Sequence, residues 1–211
     1  MKRSLFIILV GLFFTAIAVI VIGAIDFLQK ETGSQVNVSP QPQSVVIRPE
    51  DPYRGPADAE ITIVEFGSFT CESCRQASAT VKQLQALYPA DIKLVWKDYP
   101  HDLGVSRTAA LAARCAQLQG KFWDYHDGLF ALGGEITYTD LVDLAESLSL
   151  RSTDFIQCLN ENRTLNLVEA DIADGAAIQI EAVPFFDINN VQQIIGDVSI
   201  GRWRQIIDSY L

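Results

Sequence analysis

The sequence predicts an α/β domain in which a central mixed sheet is interrupted by an inserted block of helices, behind one N-terminal membrane-spanning helix. Three observations carry that expectation. Apolar and alternating runs fall in the order β, α, β, several helices, β-hairpin, α. Cys71-Glu72-Ser73-Cys74 stands between a strand-like run and a helical stretch. Leu5 to Ile25 form 21 uncharged positions, enough at about 1.5 Å per residue to cross a hydrocarbon core of about 30 Å.

Lys2 and Arg3 precede the apolar run, so the positive-inside rule keeps the first residues cytoplasmic and sends everything beyond Asp26 outside. An uncleaved signal anchor over 1–25 is favoured. The rival is a cleaved signal peptide ending at Ile22-Gly23-Ala24, but such h-regions usually run only about 7–15 residues. Residues 26–50, rich in Gln, Ser, Pro, Thr and Asn, read as a flexible linker, with Ser44-Val45-Val46-Ile47 available as an edge strand. Residues 51–211 suffice for one domain with its own core.

Within that domain Ile61 to Phe66 is the first strand, and Gln76 to Leu87 is the helix that follows the cysteine pair. Asp91 to Lys97 alternates and is β-like, ending at Tyr99-Pro100. An Ala-rich helix over Thr108 to Gln119 stops at Gly120, and a short helix runs from Phe122 to Phe130. Thr139 or Asp140 can cap a helix whose Leu141, Leu144, Ala145 and Leu148 share a face. Ser152 or Thr153 can cap the next, around Cys158. Leu165, Val168, Ile172 and Ala176 mark a helix to about Gln179, so the helical insertion covers about 104–179. Val183 to Ile188 and Val191 to Ile195 form a hairpin across Asn189-Asn190, because Asn tolerates the positive φ of tight turns. Trp203, Ile206, Ile207 and Tyr210 stripe the closing helix.

The formal charge is −10, with 26 acidic against 16 basic residues, which argues against nucleic acid as a partner. In an extracytoplasmic setting the four cysteines are free to form disulfides. A CxxC at a helix start is redox geometry, since unpaired backbone N–H groups and the helix dipole stabilise a thiolate at Cys71. A permanently closed disulfide or half of a zinc site are the bland readings, and no second CxxC or paired-His motif supplies further ligands. Glu72 and Ser73 tune the pair: a carboxylate opposes the thiolate and Arg75 favours it, so the direction stays open. Cys115 and Cys158 each fall on the apolar side of a predicted helix. His101 and His126 are the only histidines. A Cys–His hydrolase built on Cys71 would need one of them nearby and would leave Cys74 without purpose.

Val64-Glu65-Phe66 leading into Cys71-Glu72-Ser73-Cys74, Gln119-Gly120-Lys121-Phe122-Trp123-Asp124 and Val183-Pro184-Phe185-Phe186 together resemble the DsbA-like thiol–disulfide oxidoreductases. In that family a helical subdomain interrupts a thioredoxin fold, and the likeness covers about Asp51 to Leu211. The resemblance implies that Cys71 is the nucleophile and Cys74 the resolving thiol. It implies a cis-proline at Pro184 facing the pair, with Val183 offering backbone groups to an extended client, where residues alone allow an ordinary turn proline. It makes Glu65 the buried acid that shuttles a proton for Cys74, where alternation alone also permits an exposed carboxylate. Related domains sometimes carry a second cysteine pair in the helical part. A structural Cys115–Cys158 bridge is therefore expected, with two free thiols or a relay pair as alternatives.

The expected function is a membrane-anchored, single-pass, extracytoplasmic protein thiol–disulfide oxidoreductase acting on cysteine-containing secreted or membrane proteins, more readily as oxidase. No cofactor and no metal is implied. A quinone-linked membrane protein as reoxidant is implied by the resemblance alone. The alternatives are a reductase or isomerase, or a non-catalytic tethered chaperone or metal-binding module.

Overall fold

The computed structural model describes residues 44–133 and 135–211. The expected membrane helix at 1–25 and most of the expected linker lie outside the described residues. Among the described residues no helix is long and apolar enough to cross a membrane.

The strands are β1 (Tyr53–Arg54), β2 (Ile61–Gly67), β3 (Ile92–Asp98), β4 (Phe185–Ile188) and β5 (Gln192–Ile195), and they make one sheet in the order β1-β3-β2-β4-β5. β2 and β3 run parallel; the other neighbours are antiparallel. β2 is buried along nearly its whole length because both sheet faces are covered. One face presents Ile63, Leu94, Phe186 and Ile188 to the α1 helix (Glu72–Leu87) and the α7 helix (Ile200–Ile207), where Trp203 fills the gap. The other presents Val64, Phe66, Val95 and Phe185. The strand end is tight: a Cβ on Gly67 would sit 2.4 Å from the Trp96 ring.

Between β3 and β4 lies the helical insertion, α2 (Val105–Gln117), α3 (Phe122–Leu132), α4 (Tyr138–Ser147), α5 (Ser152–Asn160) and α6 (Leu165–Ala177). Its core joins Ala109, Leu111, Tyr125, Leu129, Phe155 and Val168. Gly120, at φ +72°, follows α2 as expected of a helix stop. Cys115 on α2 and Cys158 on α5 are joined by a disulfide across 43 positions of chain. Asn189 and Asn190 both take positive φ, 54° and 55°, in the β4–β5 turn.

Three local expectations need correction. Ser44 to Ile47 forms no strand; the sheet edge is β1, and Val45 is instead buried, donating its N–H to Asn190 Oδ1 at 2.6 Å. Residues 44–50 thus pack on the domain, so its boundary lies earlier than 51. The cap of α4 is Thr137, which accepts from Asp140 N while the Asp140 carboxylate accepts from Thr137 N. Neither Ser152 nor Thr153 caps α5: Arg151 holds that position with no side-chain bond.

Candidate active site at Cys71

β2 ends at Gly67 and α1 begins at Glu72, so Cys71 is the N-cap of α1, with extended φ −91° and ψ 118°. Its Sγ accepts from Cys74 N at 3.2 Å and lies 3.1 Å from Ser73 Oγ. β4 runs antiparallel to β2 with Phe185 opposite Phe66, which brings the loop entering β4 to the same end of the sheet. That loop holds a cis Val183–Pro184 bond. Cys71 Sγ is 3.6 Å from Val183 O, and Ser73 Oγ donates to the same carbonyl at 3.3 Å. Cys71, Ser73, Val183 and Pro184 therefore meet at one point.

The two sulfurs differ by environment. Hydrogen bonding from Cys74, with help from Ser73, outweighs burial and lowers the half-buried Cys71 thiol to about 6. Cys74 is fully buried, and the hydrogen bond to Cys71 together with burial pushes its pKa well up. The outer sulfur is thus mostly thiolate at neutral pH, the form that attacks and leaves in thiol–disulfide exchange, and the inner one keeps its proton. Beside Cys71 a cleft of about 180 Å³ is lined by Phe69, Thr70, Glu72, Arg75, Leu129 and Ile136 among others. Glu72 is exposed and engaged by its helix neighbours. Arg75 bonds both its oxygens at 2.7 and 2.5 Å, and Gln76 adds a third bond.

Glu65 is 1% exposed. Burial raises its carboxyl to about 8, opposed by the charge of Arg54 and aided by Cys71. Its Oε1 has no hydrogen-bond partner among the described residues. A carboxylic acid that titrates near neutrality beside a proton-retaining thiol can carry a proton either way.

His101 is an exposed loop residue 3.5 Å from Ser68 Oγ, and His126 is buried among Phe69, Trp96, Phe122, Trp123 and Phe130. Burial pushes the His126 pKa down. Sequence reasoning missed Arg54, which faces this region from the edge strand. It precedes a glycine in a two-residue strand, and nothing in its local pattern marks it.

A thioredoxin fold whose depressed CxxC thiol lies against a cis-proline loop defines a thiol–disulfide oxidoreductase. Residues 48–209 match the thioredoxin family Thioredoxin_4, and the chain belongs to that family, in its DsbA-like form. The oxidised BdbD of Bacillus subtilis superposes with TM-score 0.69 at 25% identity, over 76% of this chain and 92% of that one. A thioredoxin-like oxidoreductase from Silicibacter pomeroyi gives 0.70 at 25% identity, over 77% and 92%. The thiol–disulfide exchange protein alpha-DsbA2 of Wolbachia pipientis shares the fold, at TM-score 0.69 and 20% identity over 76% of this chain and 87% of that one. Among curated sequences, a protein named Na(+)/H(+) antiporter NhaA 1 from Salinispora arenicola is 36% identical over 144 residues, 66% of this chain. The chain spans only 22% of that relative's length, and 26% of a like-named one from Mycolicibacterium vanbaalenii that is 28% identical over 72% of this chain.

Proposed function

We propose that the chain is a membrane-tethered, extracytoplasmic oxidoreductase that exchanges disulfides with cysteine-containing secreted or membrane proteins. The observation that carries this reading is the 3.6 Å approach of Cys71 Sγ to Val183 O in the cis-proline loop. A client backbone lying along Val183 would present its sulfur to Cys71. In the oxidising direction a client thiolate attacks Cys71 of the closed pair, the Cys71–Cys74 bond breaks, and Cys74 leaves with a proton supplied by Glu65. A second client thiolate then attacks the client's own sulfur, releasing Cys71 as thiolate and a disulfide-bonded product. The 21-residue apolar run supports an N-terminal anchor with its amino end cytoplasmic. A quinone-linked membrane protein would restore the disulfide.

One observation favours reductase or isomerase work instead. Cys71 at about 6 lies nearer thioredoxin's nucleophile, about 7, than the strongly oxidising DsbA value of about 3.5. The reduction potential separates the two readings: a value near −120 mV supports the oxidase and one near −270 mV the reductase. The residue assignment is tested by Cys74→Ala in the full chain, which should retain clients as mixed disulfides on Cys71. Loss of trapping with added Cys71→Ser completes the result. No cysteine-dependent trapping, insulin reduction or oxidative refolding would favour the non-catalytic module.

A further inference from the structure

Among the described residues Glu65 has no hydrogen-bonded cation, although it sits among apolar side chains and must give and take a proton on the reading above. The sheet register shows where a counter-charge enters. Arg54 on β1 is paired with Leu94 on β3, and Leu94 with Ile63 on β2. Directly paired residues point to the same side, and so do residues two apart in a strand. Arg54, Leu94, Trp96, Ile63 and Glu65 therefore share one face. Arg54 lies over the Trp123 ring at 4.2 Å, and its two terminal nitrogens grip the Asp127 carboxylate at 3.2 and 3.1 Å. Asp127 is itself bonded by His126 Nδ1 and Lys82 Nζ, each at 3.0 Å. His126 in turn packs 4.7 Å from Trp96, the residue opposite Glu65 in the sheet. The guanidinium is thus fixed by a stacked ring and a bidentate acid, while its Nε is buried with no partner among the described residues.

We propose that Arg54 is the positioning cation of Glu65, a fixed positive charge clamped by Trp123 and Asp127 on the Glu65 face of the sheet, which keeps the carboxyl able to release its proton. This rests on the proton-carrier reading of Glu65. The groups that act on Glu65 are Cys71 and Cys74 at the start of α1 and Arg54 from β1; behind them Asp98 bonds and His126 packs on Trp96, the residue opposite Glu65, and Asp127 holds Arg54. Of these, Arg54 is the cation whose charge opposes the effect of burial on Glu65. Its service falls in the resolving step. Cys74 gives its proton to ionised Glu65, and the new thiolate attacks Cys71 in the mixed disulfide. The Cys71–Cys74 bond forms as the bond to the client sulfur breaks, and the client leaves as thiolate, reduced while the pair is oxidised.

The test uses the reduced full chain and 5,5′-dithiobis(2-nitrobenzoate). The first thiolate released reports attack by Cys71 and the second reports resolution by Cys74. In the native chain the second rate should rise with pH through the Glu65 titration. In Arg54→Met the inflection should move upward, slowing resolution about three- to tenfold at pH 7, with the native rate regained near pH 10. Arg54→Lys should keep the native profile. If Glu65→Gln leaves the inflection intact, the proton-carrier reading itself fails and this proposal with it. If Glu65→Gln abolishes it while Arg54→Met leaves it in place, or slows the step equally at every pH, the role of Arg54 alone is overturned.

Discussion

The chemistry at Cys71 comes from a division of labour between two adjacent sulfurs and one hydroxyl. Cys71 is held at a helix start by Cys74 N, 3.2 Å away, and by Ser73, while Cys74 is fully buried. A few residues away, Glu65 stores the opposite tension. A carboxyl raised from 4.5 to about 8 favours the folded chain only while it is protonated. Below pH about 4.5 folded and unfolded chains both hold that proton and the burial is harmless. As pH rises, the unfolded chain releases it first, so stability falls until the folded carboxyl also ionises near 8. Glu65→Gln removes this dependence. Relative to the native chain it should gain almost nothing at pH 4 and on the order of 4 kcal/mol by pH 8, read by urea denaturation of the reduced chain. A gain that is the same at both pH values would mean that Glu65 is not the titrating group. A carboxyl buried so that it titrates near neutrality is then one that weakens the fold at that pH.

At the scale of elements, the insertion is held to itself more than to the sheet. The Cys115–Cys158 disulfide ties α2 to α5 within the buried core of that subdomain. In the chain-entropy model a closed loop of this length is worth up to about 4 kcal/mol. Replacing both cysteines with alanine should lower the denaturation midpoint accordingly and leave the Cys71 thiolate titration, followed by ultraviolet absorbance, where it was. Movement of that titration would show that the bridge shapes the site. Such long elements were legible in the sequence because their apolar faces repeat at helical or strand spacing, as Leu141 with Ala145 and Trp203 with Ile207 do. Caps were less so. Thr137, Thr139 and Asp140 are all competent cap residues, and the choice of Thr137 is made by where Leu141 must face. The CxxC and Pro184 announced themselves through residue type, whereas Arg54 did not. Its significance depends on a strand register and on a ring 69 positions away in the chain, neither of which is written near it.

At the scale of the whole described domain, residues 44–51 before β1 form a strap packed on it. Val45 is buried, Arg48 is paired with Asp174, and the Glu50 carbonyl accepts from Gln117 Nε2 at 2.7 Å. Asp51 meets the wholly buried Lys97 at 2.6 Å. Lys97 also bonds Asp171 and Asp174, each at 3.0 Å, while Arg114 joins Asp98 at 2.5 Å and Asp171, so the strap closes a network of buried charges. Polar composition made this stretch resemble a tether, because its partners, Lys97, Arg114, Asp174 and Asn190, are all remote in sequence. Breaking a buried pair by removing one member costs about 3–5 kcal/mol, since the other charge is left without its counterpart. A fragment of residues 44–211 should therefore unfold at a distinctly higher urea concentration than one of residues 52–211. Asp51→Asn in the longer fragment should reproduce part of the loss. The same strap leads directly into β1, so the shorter fragment should also let Arg54 drift and shift the pH inflection of Cys74 resolution upward. Equal midpoints for the two fragments would return residues 44–51 to the tether. Unequal midpoints with an unmoved inflection would separate the strap's part in stability from any part in catalysis.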